Sequence, residues 1–451
     1  MNRRVQARFG GPFLSQARSV GPAPTATTRF GGPFLSLTKA LIVIFLTGAP
    51  IVSSAQTKGK QPGSAPSASE QALDRFTTYF KERATAHGIV GAGLRVVGEN
   101  RPWSHASFGM KDRATASPVD EATIFHWASI TKTFTGIAIM QLRDRGRLSL
   151  DDAIVKYVPE LEAVHNTFGP MNAITIRQLL SHTAGFRAGT WPFGGDKPWQ
   201  PFEPTEWSQL VSMMPYTEVE FAPGSKYSYS NPGLVYLGRV IEKISGEPWE
   251  TYIDKNILRP LGMSRAFFDR APYHLLKDRS HSYTVEKGKL EEARFDFDSG
   301  ITVSNGGLNA PLTDMEKYVR FLLGHAETAD GAQVLARKSL EEMWRPVARV
   351  EETAQDQVDI GLCFFIEKRG SRRLIGHSGS QNGFISHLYL DAGAHAGYVV
   401  SFNTDATDDV PVPNTRKLDS EIREFWVASV APALEAASAA ATASARVSSR
   451  P

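Results

Sequence analysis

Strand-like runs cluster at the two ends of this 451-residue chain, and that placement constrains its fold more than any other feature. Near the start, residues 89–97 and 103–109 read as strands, after a helical pattern on Leu73, Phe76 and Phe80. Near the end, residues 362–366, 384–390 and 397–402 do the same and lead into an amphipathic helix through Ile422, Phe425 and Trp426. The middle reads as helices and loops. Strands so far apart in sequence bury their apolar faces by joining one sheet. The expected fold class is therefore α/β (α+β): an antiparallel sheet flanked by helices, built from both chain ends, with a mostly helical domain inserted. With 41% hydrophobic and 22% charged residues, the chain can bury a core of that size.

The formal charge of +3 is misleading, because residues 1–55 hold six of the fifty Lys and Arg and no acid. The remainder has 44 basic against 47 acidic residues, so composition gives no reason to expect a nucleic-acid partner. Residues 40–52 (ALIVIFLTGAPIV) form an apolar run too short for a stable membrane span but suited to the core of a signal peptide. Ser53-Ser54-Ala55 offers small residues before a cut at Gln56. Export to the periplasm or medium is the expectation, with an uncleaved anchor at 40–52 as the alternative. The octapeptide RFGGPFLS at 8–15 recurs at 29–36, which fits a translation start assigned too early. Residues 56–68 read as a linker, 69–430 as the folded domain, and 431–451 as a disordered or loosely helical Ala/Ser tail. The one cysteine, Cys363, excludes an internal disulfide and reads as buried filler.

Three short segments carry candidate chemistry. Ser129-Ile-Thr-Lys132 puts a hydroxyl and an amine one helical turn apart, within reach of each other, ahead of apolar positions Phe134, Ile137, Ala138 and Leu142. A serine at a helix start also meets unpaired backbone N–H groups, which suit an oxyanion. A capping serine with a solvated lysine explains the segment as well. The pattern recurs at Ser36-Leu-Thr-Lys39, which belongs to the leader. Tyr229-Ser-Asn231, in a loop bounded by Pro-Gly pairs, offers a phenol whose acidity a nearby lysine would raise and an amide able to hold a carbonyl. It reads equally as a surface turn. Gly376-His-Ser-Gly-Ser380 follows a strand-like stretch, where glycine admits a substrate backbone and His377 presents a donor or a positive charge. A plain turn is the competing reading. A second H-x-G, at His395, reads as a hairpin. The segment at 376–380 also fails G-x-S-x-G at its last position, which disfavours a nucleophile elbow. H-E-x-x-H, C-x-x-C and G-K-[ST] are absent, so neither metal nor cofactor is expected.

Taken in order, these segments resemble the serine β-lactamase and penicillin-binding protein superfamily, on its class C β-lactamase, DD-peptidase and esterase side. Phe125-His-Trp-Ala-Ser129, the stretches 174–185 (ITIRQLLSHTAG) and 223–231 (PGSKYSYSN), and Ser304-Asn-Gly-Gly-Leu308 add to the likeness, which covers residues 70–430. The resemblance implies a β-lactamase/transpeptidase-like fold. It implies Ser129 as acylated nucleophile, Lys132 as its activator and Tyr229 as proton shuttle. Asn231 would hold the acyl side chain, His377 and Gly379 would line the strand edge, and the N–H groups of Ser129 and Ser380 would form the oxyanion hole. Class C enzymes usually carry K-T-G where this chain has His377. The implied function is thus an exported serine hydrolase of small-molecule esters, amides or D-amino acid peptides. A class C-like β-lactamase, or a penicillin-binding or sensor module without turnover, is the alternative.

Overall fold

The computed structural model describes residues 66–448 apart from 99–101, 191–203, 287, 294, 296–297, 354–355 and 407–413. The expected leader (residues 1–55) and most of the expected linker (56–68) lie outside them.

Nine strands form the main sheet: β1 (Gly91–Val97), β2 (Pro102–Asp112), β3 (Ser117–Pro118), β4 (Ala348–Glu352), β5 (Asp356–Ile360), β6 (Phe365–Arg369), β7 (Arg372–Gln381), β8 (Phe384–Asp391) and β9 (Ala396–Phe402). Their spatial order is β3-β2-β1-β9-β8-β7-β6-β5-β4, all antiparallel. The seam β1–β9 joins the two chain ends, with Leu94 opposite Val400, as the placement of apolar runs predicts.

Side chains alternate between the faces of a strand, and here both faces are covered. Tyr398, Val400 and Phe402 of β9 face Phe76 and Phe80 of α1 (Ala68–Ala86). Val399 between them joins the larger core, which also contains α2 (Thr131–Asp144), α3 (Asn231–Ser245), α4 (Val303–Gly306) and α5 (Leu312–Leu323). Helix α2 is buried at every position from Thr131 to Leu142 and ends at Asp144, capped by Arg145 just ahead of Gly146, where φ is +68°. A helix enclosed on all sides carries its polar side chains into a protected interior, which is what makes Lys132 informative.

Three stretches of the chain differ from the sequence reading or add to it. Strand β6 starts at Phe365 rather than 362, because Cys363 adopts φ +60° and breaks the extended run. Strands β4 and β5, with sequences ARVEE and DQVDI, lack the apolar pattern that the reading relied on, as charged strands toward a sheet edge do. The Ala/Ser stretch, expected to be disordered or loosely helical, is helical over its described part: after α6 (Thr415–Phe425) the chain continues as α7 (Ala431–Ser448), burying Ala431 and Leu434 in the core of α1. Alanine is the best helix former, and two buried contacts fix what propensity starts. Cys363 is buried, as expected, and burial pushes its thiol up to about 12. His395 sits in the β8–β9 hairpin. No described helix is long and apolar enough to cross a membrane.

Candidate active site

Ser129 lies in a 3-10 turn, Ala128–Ile130, just ahead of α2 rather than within its first turn. Ala128 has φ +46°, a left-handed conformation that costs a residue with a Cβ roughly 1–2 kcal/mol. The surroundings hold it there. Trp127 N donates to Leu308 O at 2.8 Å, its indole to Ala310 O at 2.9 Å, and Ser386 Oγ to Trp127 O at 3.1 Å. Thr131 Oγ1 closes the corner on Ala128 O at 2.6 Å. The chain therefore turns sharply and presents Ser129, half-buried, at the corner.

One helical turn on, Lys132 is fully buried, with its Nζ 2.9 Å from Ser129 Oγ and 2.8 Å from Asn305 O. The Tyr229 hydroxyl shares a hydrogen bond with Ser129, and Lys132 Nζ lies 5.1 Å from the centre of its ring. The sequence led us to expect a more acidic phenol. Burial instead pushes Tyr229 well above the usual tyrosine range, outweighing the opposite pull of the Ser129 hydrogen bond. Tyr229 is a neutral hydroxyl at neutral pH.

Asn231 is not in a loop but opens α3. Ser230 caps that helix, accepting from Gly233 N at 3.2 Å, and Pro232 supplies the fixed φ that suits a first turn. Asn231 Oδ1 is buried without a hydrogen-bond partner among the described residues.

The segment 376–381 is strand, not turn. Strand β6 stops at Phe365, opposite Gly376, so the edge of β7 from His377 to Gln381 is left open on that side. A Cβ on Gly379 would stand 2.3 Å from Trp127 O, so only glycine lets β7 close on the turn that carries Ser129. Ser380 is exposed, and its hydroxyl donates to Asp405 Oδ2 at 3.4 Å. His126 ties the same strand end to Ser129's approach, with Nδ1 3.2 Å from Asn309 Oδ1 and Nε2 3.1 Å from Gln381 Oε1.

His377 departs most from expectation. It is 2% exposed, and burial together with the nearby Lys132 pulls it down to about 3, so it is uncharged at neutral pH. Its Nδ1–H donates to Ser378 O at 2.6 Å, which leaves Nε2 with a lone pair, buried and without a partner. The ring offers an acceptor, not a donor or a positive charge.

A family model described as Beta-lactamase matches residues 76–421. The chain belongs to the Beta-lactamase family. Among its relatives is "Protein flp" of Staphylococcus aureus (strain NCTC 8325 / PS 47), 24% identical over 338 residues, 75% of this chain and 64% of that protein. This chain thus spans just under two thirds of that relative's length. A putative D-alanyl-D-alanine carboxypeptidase of Escherichia coli O157:H7 is 28% identical over 48% of this chain and 53% of its own. Among solved structures, the octameric penicillin-binding protein homologue from Pyrococcus abyssi aligns with TM-score 0.63 at 26% identity, over 74% of each chain. A class C β-lactamase aligns with TM-score 0.64 at 18% identity, over 80% of this chain and 96% of its own, a likeness of fold.

Within this Beta-lactamase family fold, two residues at the site escaped the sequence reading. Asn305 holds Lys132 through its main-chain carbonyl, which no residue type announces. His182 stacks on the Tyr229 ring at 4.4 Å and accepts from Ser230 N through Nδ1 at 3.1 Å. Its φ of +55°, uncommon for a residue with a Cβ, marks it as held by its surroundings, and a buried histidine inside the stretch 174–185 was the available signal.

Proposed function

We propose that this protein is an exported serine hydrolase that forms an acyl-enzyme on Ser129 with ester, amide or D-amino acid peptide substrates. The observation that carries this reading is the convergence of Lys132 Nζ, 2.9 Å from Ser129 Oγ, with the Tyr229 hydroxyl on the same oxygen. In the proposed sequence, Ser129 Oγ attacks the substrate carbonyl while Lys132 takes its proton. The negative charge gathers on the carbonyl oxygen between the N–H groups of Ser129 and Ser380. The proton then passes through Tyr229 to the leaving group as the carbonyl–leaving-group bond breaks. Tyr229, being neutral, relays: it gives its own proton and takes the one held by Lys132. Water repeats the steps in reverse order and frees Ser129. Asn231, with an unpaired amide oxygen, would receive a donor on the acyl side chain.

His377 supports the choice of substrate class. An uncharged ring whose remaining nitrogen is a buried acceptor does not attract a carboxylate, whereas the lysine usual in class C β-lactamases does. The test is intact-mass detection of an adduct on Ser129 with a p-nitrophenyl ester, a chromogenic cephalosporin and a D-Ala-D-Ala peptide, alongside turnover of each. Ester or peptide turnover with negligible cephalosporin hydrolysis supports the reading. A stable β-lactam adduct without turnover would move the protein to the penicillin-binding alternative.

A further inference from the structure

Tyr229 keeps its hydroxyl on Ser129 although it lies in an irregular stretch, outside any helix or strand. His182 fixes it there. The His182 main-chain carbonyl accepts from Ser228 N at 2.9 Å and its ring Nδ1 accepts from Ser230 N at 3.1 Å, so one residue holds the chain on both sides of the phenol. The imidazole then lies against the Tyr229 ring, with centroids 4.4 Å apart and planes 27° from parallel. Two flanking hydrogen bonds and a face contact leave the phenol little freedom to swing off Ser129.

His182 is itself braced. It follows the helix Ile176–Leu180, which opens on a capping box between Thr175 and Gln178. His182 N donates to Leu179 O at 3.2 Å, while on either side Cys363 N donates to Leu180 O at 2.8 Å and Gly224 N to Thr183 O at 2.7 Å. These contacts hold a backbone with φ +55°, a conformation that persists in a residue with a Cβ only where its surroundings demand it. Because Nδ1 accepts, the ring hydrogen sits on Nε2 and the imidazole is neutral. Burial and the nearby Lys132 favour the same neutral form.

We propose that His182 is the positioning residue of the proton relay: it aims the Tyr229 hydroxyl, and so fits the site to esters and amides whose leaving group departs only with a proton. This rests on the reading of Tyr229 as the relay. When the carbonyl–leaving-group bond breaks, the departing oxygen or nitrogen takes the Tyr229 proton, and the phenol oxygen takes one from the Lys132 ammonium. A p-nitrophenolate leaves as a stable anion and needs that proton least, whereas an ethoxide needs it most. Misplacing a reacting group by about 1 Å can cost about 10²-fold, so a loosened phenol penalises the ethyl ester above all.

The test measures kcat/KM, which reports the steps up to release of the leaving group, for ethyl and p-nitrophenyl butanoate on the full chain, its Tyr229→Phe and His182→Asn variants, and the double variant. Asparagine tolerates the left-handed backbone and offers an oxygen to Ser230 N, so the single change removes the ring and little else. His182→Asn should lower kcat/KM for the ethyl ester at least about tenfold more than for the p-nitrophenyl ester, and Tyr229→Phe should show the same bias more strongly. The double variant should match Tyr229→Phe within about threefold, because the imidazole acts only through the phenol. Equal loss on both esters in His182→Asn, beside a bias in Tyr229→Phe, would overturn the role of His182 and leave the relay standing. A parent inactive on both esters, or Tyr229→Phe without bias, would remove the relay and this proposal with it. Where His182→Asn fails to fold, nitrogen NMR of the parent decides: an imidazole protonated on Nε2 supports the proposal, and one protonated on Nδ1, unable to accept from Ser230, overturns it.

Discussion

Replacing Tyr229 by Phe removes one oxygen and leaves its surroundings nearly intact. The ring still stacks on His182 at 4.4 Å and still faces Lys132 Nζ at 5.1 Å, so the stabilising contacts that depend on the ring survive. What is lost is one neutral hydrogen bond to Ser129, worth about 1 kcal/mol of stability, or roughly 1–2 °C in melting temperature for a domain of this size. The chemistry should lose far more. A positioned proton donor contributes about 10²–10⁴-fold, so the barrier should rise by about 3–5 kcal/mol. Steady-state kinetics on the best ester from the competition assay should show kcat reduced by at least about 10²-fold with KM within threefold, because the phenol acts on the proton in flight rather than on bound substrate. A kcat within threefold of the parent would refute the relay. A large rise in KM at constant kcat would instead make Tyr229 a binding residue.

Other outcomes follow from the same geometry. Ser129→Ala should abolish the covalent adduct in intact-mass spectra while costing about 1–3 kcal/mol of stability, since it removes the oxygen that the buried Lys132 Nζ meets at 2.9 Å; an adduct that persists would remove Ser129 as nucleophile. Gly379→Ala should destabilise by about 1–3 kcal/mol and suppress turnover, because its methyl would stand 2.3 Å from Trp127 O and push β7 off the nucleophile turn; a melting curve and ester activity like the parent's would show that the strand has room. His126 and His377 are held at about 4 and about 3, both by burial, so the unfolded chain binds more protons than the folded one as pH falls below the ordinary histidine value. Stability should therefore drop between pH 6.5 and 4, by about 2 kcal/mol for each histidine at pH 5, with His126→Gln or His377→Gln each flattening urea-unfolding profiles over that range; an unchanged slope would mean that neither imidazole is buried neutral.

The sequence by itself named the candidate groups. The i, i+3 spacing put Lys132 within reach of Ser129, a relation that holds although Ser129 sits in the 3-10 turn ahead of α2 rather than in the helix itself. The apolar runs at both ends fixed a sheet joined through β1 and β9, because strands bury their faces only by pairing. The order of three segments, with supporting stretches between them, was enough to name a family that the comparison at residues 76–421 then showed. Tertiary structure decided the chemical state of those groups. Whether Tyr229 is acidic or His377 charged depends on how many atoms from distant elements displace water around it, and burial reversed the sequence expectation at both. The same holds for Asn305, which serves through a backbone carbonyl, and for Gly379, whose value lies in what a methyl would strike. A local pattern specifies which atoms exist and which neighbours along the chain they face; desolvation and close approach are set by residues a hundred positions away, and only the folded chain brings those together.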